Sequence, residues 1–186
     1  LEEDGLTVDE EGFYAAMEAH RLASGKGQAF TEMGSNDAEF YGGILSDLQS
    51  QGKLPAEGVL YDPYSSFSAE ARLAAILRDG ELVTSAEAGD EVELILTKSP
   101  FYLESGGQVG DSGTVISTEQ PGWEVEISSA RQPVTGLIVL RGIVRHGTPR
   151  ADDKALARLD ETARRATMRN HTSTHLLHAA LRNVLG

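Results

Sequence analysis

The chain has 186 residues, 40% of them hydrophobic, a formal net charge of −13 and no Cys. That length suits one domain, or one domain with appendages, and the apolar fraction suffices for a core of ordinary size. The longest apolar runs, such as Leu137-Ile138-Val139-Leu140, are far too short to span a bilayer, and the missing Cys exclude disulfides and thiolate metal ligands in this segment.

Residues 7–24 read as a helix. Thr7 and Glu10 form a capping box, Phe13, Met17, His20 and Leu22 recur near helical spacing, and Gly25 supplies the stop. Residues 25–35 read as a loop. A second helix is expected over 36–51, with Phe40, Ile44, Leu45 and Leu48 on one side, weakened at Gly42-Gly43 and closed by Gly52 and Pro55.

From Gly58 the pattern turns β-like. Val59-Leu60-Tyr61 is a short strand ended by Asp62-Pro63. Residues 69–77 suit either a strand or a helix, and Asp79-Gly80, a strong two-residue hairpin turn, decides for the strand. Further strands are expected around Val92-Glu93-Leu94-Ile95-Leu96-Thr97, Thr114-Val115-Ile116, Trp123-Glu124-Val125-Glu126-Ile127 and Leu137-Ile138-Val139-Leu140. Short strands at this spacing, without helices between them, predict an antiparallel barrel or sandwich. From Asp152 the chain reads as helical again, capped by Asp152 or Asp153 and carrying Leu156, Leu159, Ala163 and Ala166. A further helix is expected to open near Asn170. The fold class is therefore α+β, an antiparallel β-barrel flanked by N-terminal and C-terminal helices, divided as 1–52, 53–150 and 151–186.

The charge is unevenly spread. From Arg131 onward ten Lys and Arg meet four acids, a net +6, whereas residues 1–130 carry six bases and 25 acids, a net −19. The basic part either faces an anion or is an ordinary basic helix face. The chain begins at Leu1 and stops at Gly186, just after an amphipathic helical run, so neither end reads as a natural terminus.

Two motifs carry chemistry. His171 and His175 are four apart, which on a helix puts both imidazoles on one face within reach of one metal ion. Zinc takes such nitrogens at about 2.0–2.1 Å in a tetrahedron, so the pair supplies half a site. Thr172 stands where a metalloprotease would have its general-base Glu. His178 shares the face but reads as a helix-surface or core His. Glu104-Ser105-Gly106-Gly107-Gln108-Val109-Gly110-Asp111-Ser112-Gly113 is a glycine-rich loop between strands. It is either a phosphate cradle or a tight barrel turn.

Phe101-Tyr102-Leu103 followed by that loop resembles a block of the alanyl-tRNA synthetases, and Arg169-Asn170-His171-Thr172-Ser173-Thr174-His175-Leu176-Leu177-His178-Ala179-Ala180-Leu181-Arg182 is similar to another, with Ser173 where that family has Ala. Gly5-Leu6-Thr7-Val8-Asp9-Glu10-Glu11-Gly12-Phe13 resembles the helix that precedes their barrel. The resemblance covers nearly the whole chain and is weakest over 26–57. It implies a barrel of the translation-factor type followed by the start of an editing domain. It implies zinc held by His171 and His175 together with a later Cys and His, tRNA(Ala) and the remainder of the synthetase as partners, a cytoplasmic location and no membrane. ATP and Mg would be used by the parent enzyme outside this segment. Ser105, Gly106, Gly107, Gln108 and Gly110 become candidates for placing the tRNA end. No catalytic residue is expected within the segment, which should be inactive alone. Competing readings are a free-standing editing hydrolase of the same superfamily, a non-catalytic tRNA-binding or spacer barrel, and an unrelated zinc hydrolase.

Overall fold

The computed structural model describes residues 29–103 and 110–185. The expected helix over 7–24, with its Thr7 and Glu10 capping box, lies outside the described residues. The chain divides into two units, residues 1–40 and 41–186. Of the first, the structure describes the opening residues of helix α1 (Ala29–Ser50), so part of the span expected as a loop is helical. In the second, α1 continues with Ile44 and Leu48 buried as expected and Leu45 partly buried, but Tyr41 is buried where Phe40 was expected, and Phe40 is 41% exposed. Gly52 ends it, at φ 71°. Lys53 N–H donates to Leu48 O at 2.9 Å and Gly52 N–H to Gln49 O at 3.0 Å, the paired closure of a Schellman end.

Among the described residues nine strands follow: β1 (Leu60–Tyr61), β2 (Ser68–Arg78), β3 (Glu81–Val83), β4 (Glu91–Leu96), β5 (Lys98–Ser99), β6 (Gly113–Ser117), β7 (Glu124–Val134), β8 (Leu137–His146) and β9 (Lys154–Leu159). β1 and β5 form a small parallel pair. Six of the others close an antiparallel barrel in the order β2-β4-β8-β7-β6-β9, with β9 returning to β2. The length of β2 makes closure possible: Ser68 to Arg72 pair with β9, while Ile76 to Arg78 pair with β3. The β2–β3 hairpin turns at Asp79 and Gly80, whose φ values of 53° and 79° are the two positive angles that a two-residue turn of this hand requires. Pro133, which cannot donate to a ladder, falls in the register shift between Arg131 and Val134 of β7.

The barrel is filled by apolar side chains. Leu73, Ile76, Leu94, Ile95, Phe101, Val115, Ile127, Leu137 and Leu140 are buried in one continuous core with Ile44 and Leu48 of α1. A polar contact also ties α1 to the barrel. Tyr41 Oη donates to Glu93 Oε2 at 2.6 Å, and Arg131 Nη2 reaches both Tyr41 Oη, at 2.5 Å, and Glu93 Oε1, at 3.0 Å. The α+β class and the helix-flanked antiparallel barrel are as expected.

Two readings of the C-terminal part are corrected. The residues from Asp152 to Leu159 do not open a helix; 154–159 are β9 and complete the barrel, past residue 150. Lys-Ala-Leu-Ala-Arg-Leu is made of good helix formers, but every second residue, Ala155, Ala157 and Leu159, is buried against the core, and tertiary packing overrides propensity. Asp152 and Asp153 are not caps of that helix. Asp153 instead accepts from Trp123 Nε1 at 2.7 Å and from Arg150 N–H at 2.9 Å. The cap is Asp160, whose Oδ1 accepts from Ala163 N–H at 2.9 Å. Helix α2 (Glu161–Leu185) is continuous, with no new start near Asn170. Thr172 and Thr174 satisfy their hydroxyls on the carbonyls of Met168 and Asn170, one turn back.

Candidate metal half-site and its clamp

His171 and His175 lie on α2, both exposed, with Nε2 atoms 3.0 Å apart. Two nitrogens at about 2.0–2.1 Å from a tetrahedral ion stand about 3.3 Å apart, so a small ring adjustment would let the pair take one ion. The donor set fits half of a zinc site. Among the described residues, no group of three or more His, Asp or Glu gathers around it. His178 is exposed one turn further on.

Ser105, Gly106, Gly107 and Gln108 lie outside the described residues. Gly110 is described, and the residues on either side of the loop are held together. Asp111 N–H donates to Tyr102 O at 3.1 Å, and Tyr102 N–H returns to Asp111 Oδ2 at 2.7 Å. Tyr61 Oη accepts from Leu103 N–H at 3.3 Å. Burial pushes the Tyr61 hydroxyl above its ordinary pKa. Hydrogen bonds from Ser65 hold the Asp62 carboxyl below its ordinary value and fix the turn at Pro63.

Arg164 brings this base and α2 together. Its Nη1 donates to Asp111 Oδ2 and its Nη2 to Pro63 O at 2.8 Å. The guanidinium also lies 5.2 Å from the Tyr102 ring centroid. Arg164 is 8% exposed and Asp111 6%, so the pair is withdrawn from water and each charge depends on the other. Sequence reasoning missed Arg164. The available signal was its place seven residues before His171, two helical turns along nearly the same face. An open groove of about 480 Å³, lined by Phe67, Arg165, Met168, Arg169, Thr172 and Ser173, lies on another side of α2, away from the His pair.

Five bases of the stretch pair with acids, four of these acids coming from elsewhere in the fold and one, Glu161, from the preceding turn of α2. Arg141 pairs with Glu91, Arg145 with Glu126, Lys154 with Glu119, Arg164 with Asp111 and Arg165 with Glu161. Among the described residues, Arg150, Arg158 and Arg169 make no carboxylate pair.

The family model described as tRNA synthetases class II (A) matches residues 1–163. The chain belongs to that family. Relatives named alanine–tRNA ligase are similar to it throughout: that of Thermobifida fusca is 38% identical over 99% of this chain, and that of Desulforamulus reducens 41% identical over 100%. The relative from Chloroflexus aurantiacus is 40% identical over 99%. The chain spans about a fifth of the length of these relatives. Neither described helix is long and apolar enough to cross a membrane.

Proposed function

We propose that the chain is the part of an alanine–tRNA ligase that carries a β-barrel and the first half of a zinc-containing editing site. The parent enzyme would join alanine to tRNA(Ala) with ATP and Mg, in the cytoplasm, and hydrolyse Ser-tRNA(Ala) and Gly-tRNA(Ala). A second site is needed because a pocket for alanine cannot exclude glycine and rejects serine poorly. The observation that carries this reading is the identity of 38–41% to alanine–tRNA ligases along the chain's full length. The His171 and His175 nitrogens, 3.0 Å apart, support it. Zinc there would polarise the ester or orient a water, while Ser105, Gly106, Gly107, Gln108 and Gly110 would help to place the tRNA end.

The test is a chimera in which this segment replaces the matching fifth of a relative. It should charge tRNA(Ala) with alanine and deacylate Ser-tRNA(Ala). His171→Ala should release zinc and abolish deacylation while alanylation persists. A folded chimera with neither activity would overturn the reading. By itself the 186-residue chain should behave as a spacer or tRNA-binding barrel, a second reading favoured by the absence of a third ligand near the His pair among the described residues.

A further inference from the structure

Arg164 has no part in the function just proposed, yet it is a buried charge on the helix that carries the His pair. From Met168 to Val184 every residue of α2 is exposed. Among the described residues, therefore, nothing beyond the first two turns holds the helix against rotation about its own axis. The cap at Asp160, together with the Asp160 N–H to Ser112 O bond of 2.8 Å, fixes where the helix starts. Fixing its roll needs a contact on its flank, and Arg164 supplies one.

That contact has three points. The planar guanidinium donates to a carboxylate just before β6 and to a carbonyl just after β1, and it lies against the Tyr102 ring. These partners are separated by 53 and 101 residues from Arg164, so the fork ties distant segments to one helical position. Arg suits this because its donors are rigid and coplanar; a Lys ammonium would keep the charge but not the direction. His171 follows at seven residues and His175 at eleven, each within about 20° of the Arg164 direction at about 100° per residue.

We propose that Arg164 is a positioning residue: by gripping Asp111 and the Pro63 carbonyl together it sets the rotation of α2, and with it the direction in which His171 and His175 present their Nε2 atoms. The grip itself is geometric. Its consequence for editing rests on the function proposed above, so the test has two arms.

The first arm uses the 186-residue chain. It contains no Cys, so Glu81→Cys on exposed β3 gives a single site for a nitroxide. Cu²⁺ added as its nitrilotriacetate complex marks the His pair, and pulsed electron paramagnetic resonance reads the distance between the two. The expected result is one narrow distance distribution, shifted or broadened roughly twofold in Arg164→Lys and in Arg164→Gln. Trp123 fluorescence checks that the barrel is folded in each variant. A broad distribution in the parent chain, or an unchanged one in either folded variant, overturns the proposal.

The second arm uses the full synthetase. Arg164→Lys should lower kcat for Ser-tRNA(Ala) deacylation about tenfold or more, with KM within about threefold and alanylation unchanged. A parent enzyme that deacylates and is unaffected by Arg164→Lys overturns the positioning role. A parent enzyme without deacylation overturns the editing function and leaves the first arm standing.

Discussion

Strands β6 and β9 pass so close that a Cβ on Gly113 would stand 2.1 Å from the carbonyl oxygen of Arg158. The obstacle is backbone within the barrel ladder and cannot swing aside. Gly113→Ala should therefore destabilise the chain by about 1–3 kcal/mol, the usual range for forcing atoms into a packed core. Urea unfolding followed by Trp123 fluorescence measures it, and an unchanged midpoint would show that the two strands can part.

Gly42 and Gly43 are the opposite case. Both lie inside α1 with nothing within 4 Å of an added Cβ. Gly42→Ala and Gly43→Ala should each stabilise by about 0.5–1 kcal/mol, by restricting the unfolded chain. The same unfolding assay reads the rise.

Asp111→Ala should be severe. It leaves Arg164 enclosed and without its carboxylate, a change that typically costs about 3–5 kcal/mol. Removing both charges at once, as Asp111→Ala with Arg164→Met, should cost less than the single change. A double variant weaker than Asp111→Ala in thermal melts would contradict the account.

Asp90 predicts a pH effect. The Glu87 N–H and then Arg78 hold its carboxyl below the ordinary value of 3.8. A depressed folded pKa contributes stability that is fully present above the unfolded value and disappears as pH falls through the folded one. The loss should lie below about pH 4. Asp90→Asn should flatten the stability profile there and leave its shape between pH 6 and 8, the roughly neutral range, unchanged. Urea midpoints measured across that series decide it.

Zinc should bind the 186-residue chain weakly, because two imidazoles leave a tetrahedron half open. Dialysis against a chelator followed by metal analysis should find none retained. Stoichiometric, chelator-resistant zinc would mean that the ion has found further ligands. Leu176, Leu177, Leu181 and Val184 are exposed, so amides in that half of α2 should exchange much faster than those of β4 or β8.

Local signals with one physical outcome were legible in the sequence. Asp79-Gly80 forced a hairpin, Gly52 ended a helix, and a spacing of four put His171 beside His175. β9 was hidden because its residues favour a helix and only contact with the core selects the strand. The Arg164–Asp111 pair was hidden for a related reason: nothing local in a sequence records that two charges 53 positions apart will leave water together. The charge of the basic part was only partly legible, since a count along the chain cannot show that the fold sets Glu91 beside Arg141 and Glu126 beside Arg145.

A single residue, Asp160, separates the barrel's closing strand from α2. A joint so short has a discrete pitch. One residue inserted or deleted there turns everything beyond it by about 100° and would swing the two imidazoles to another side. Length at that joint should therefore be far less negotiable than residue type, with the barrel acting as the index mark from which the helix is dialled.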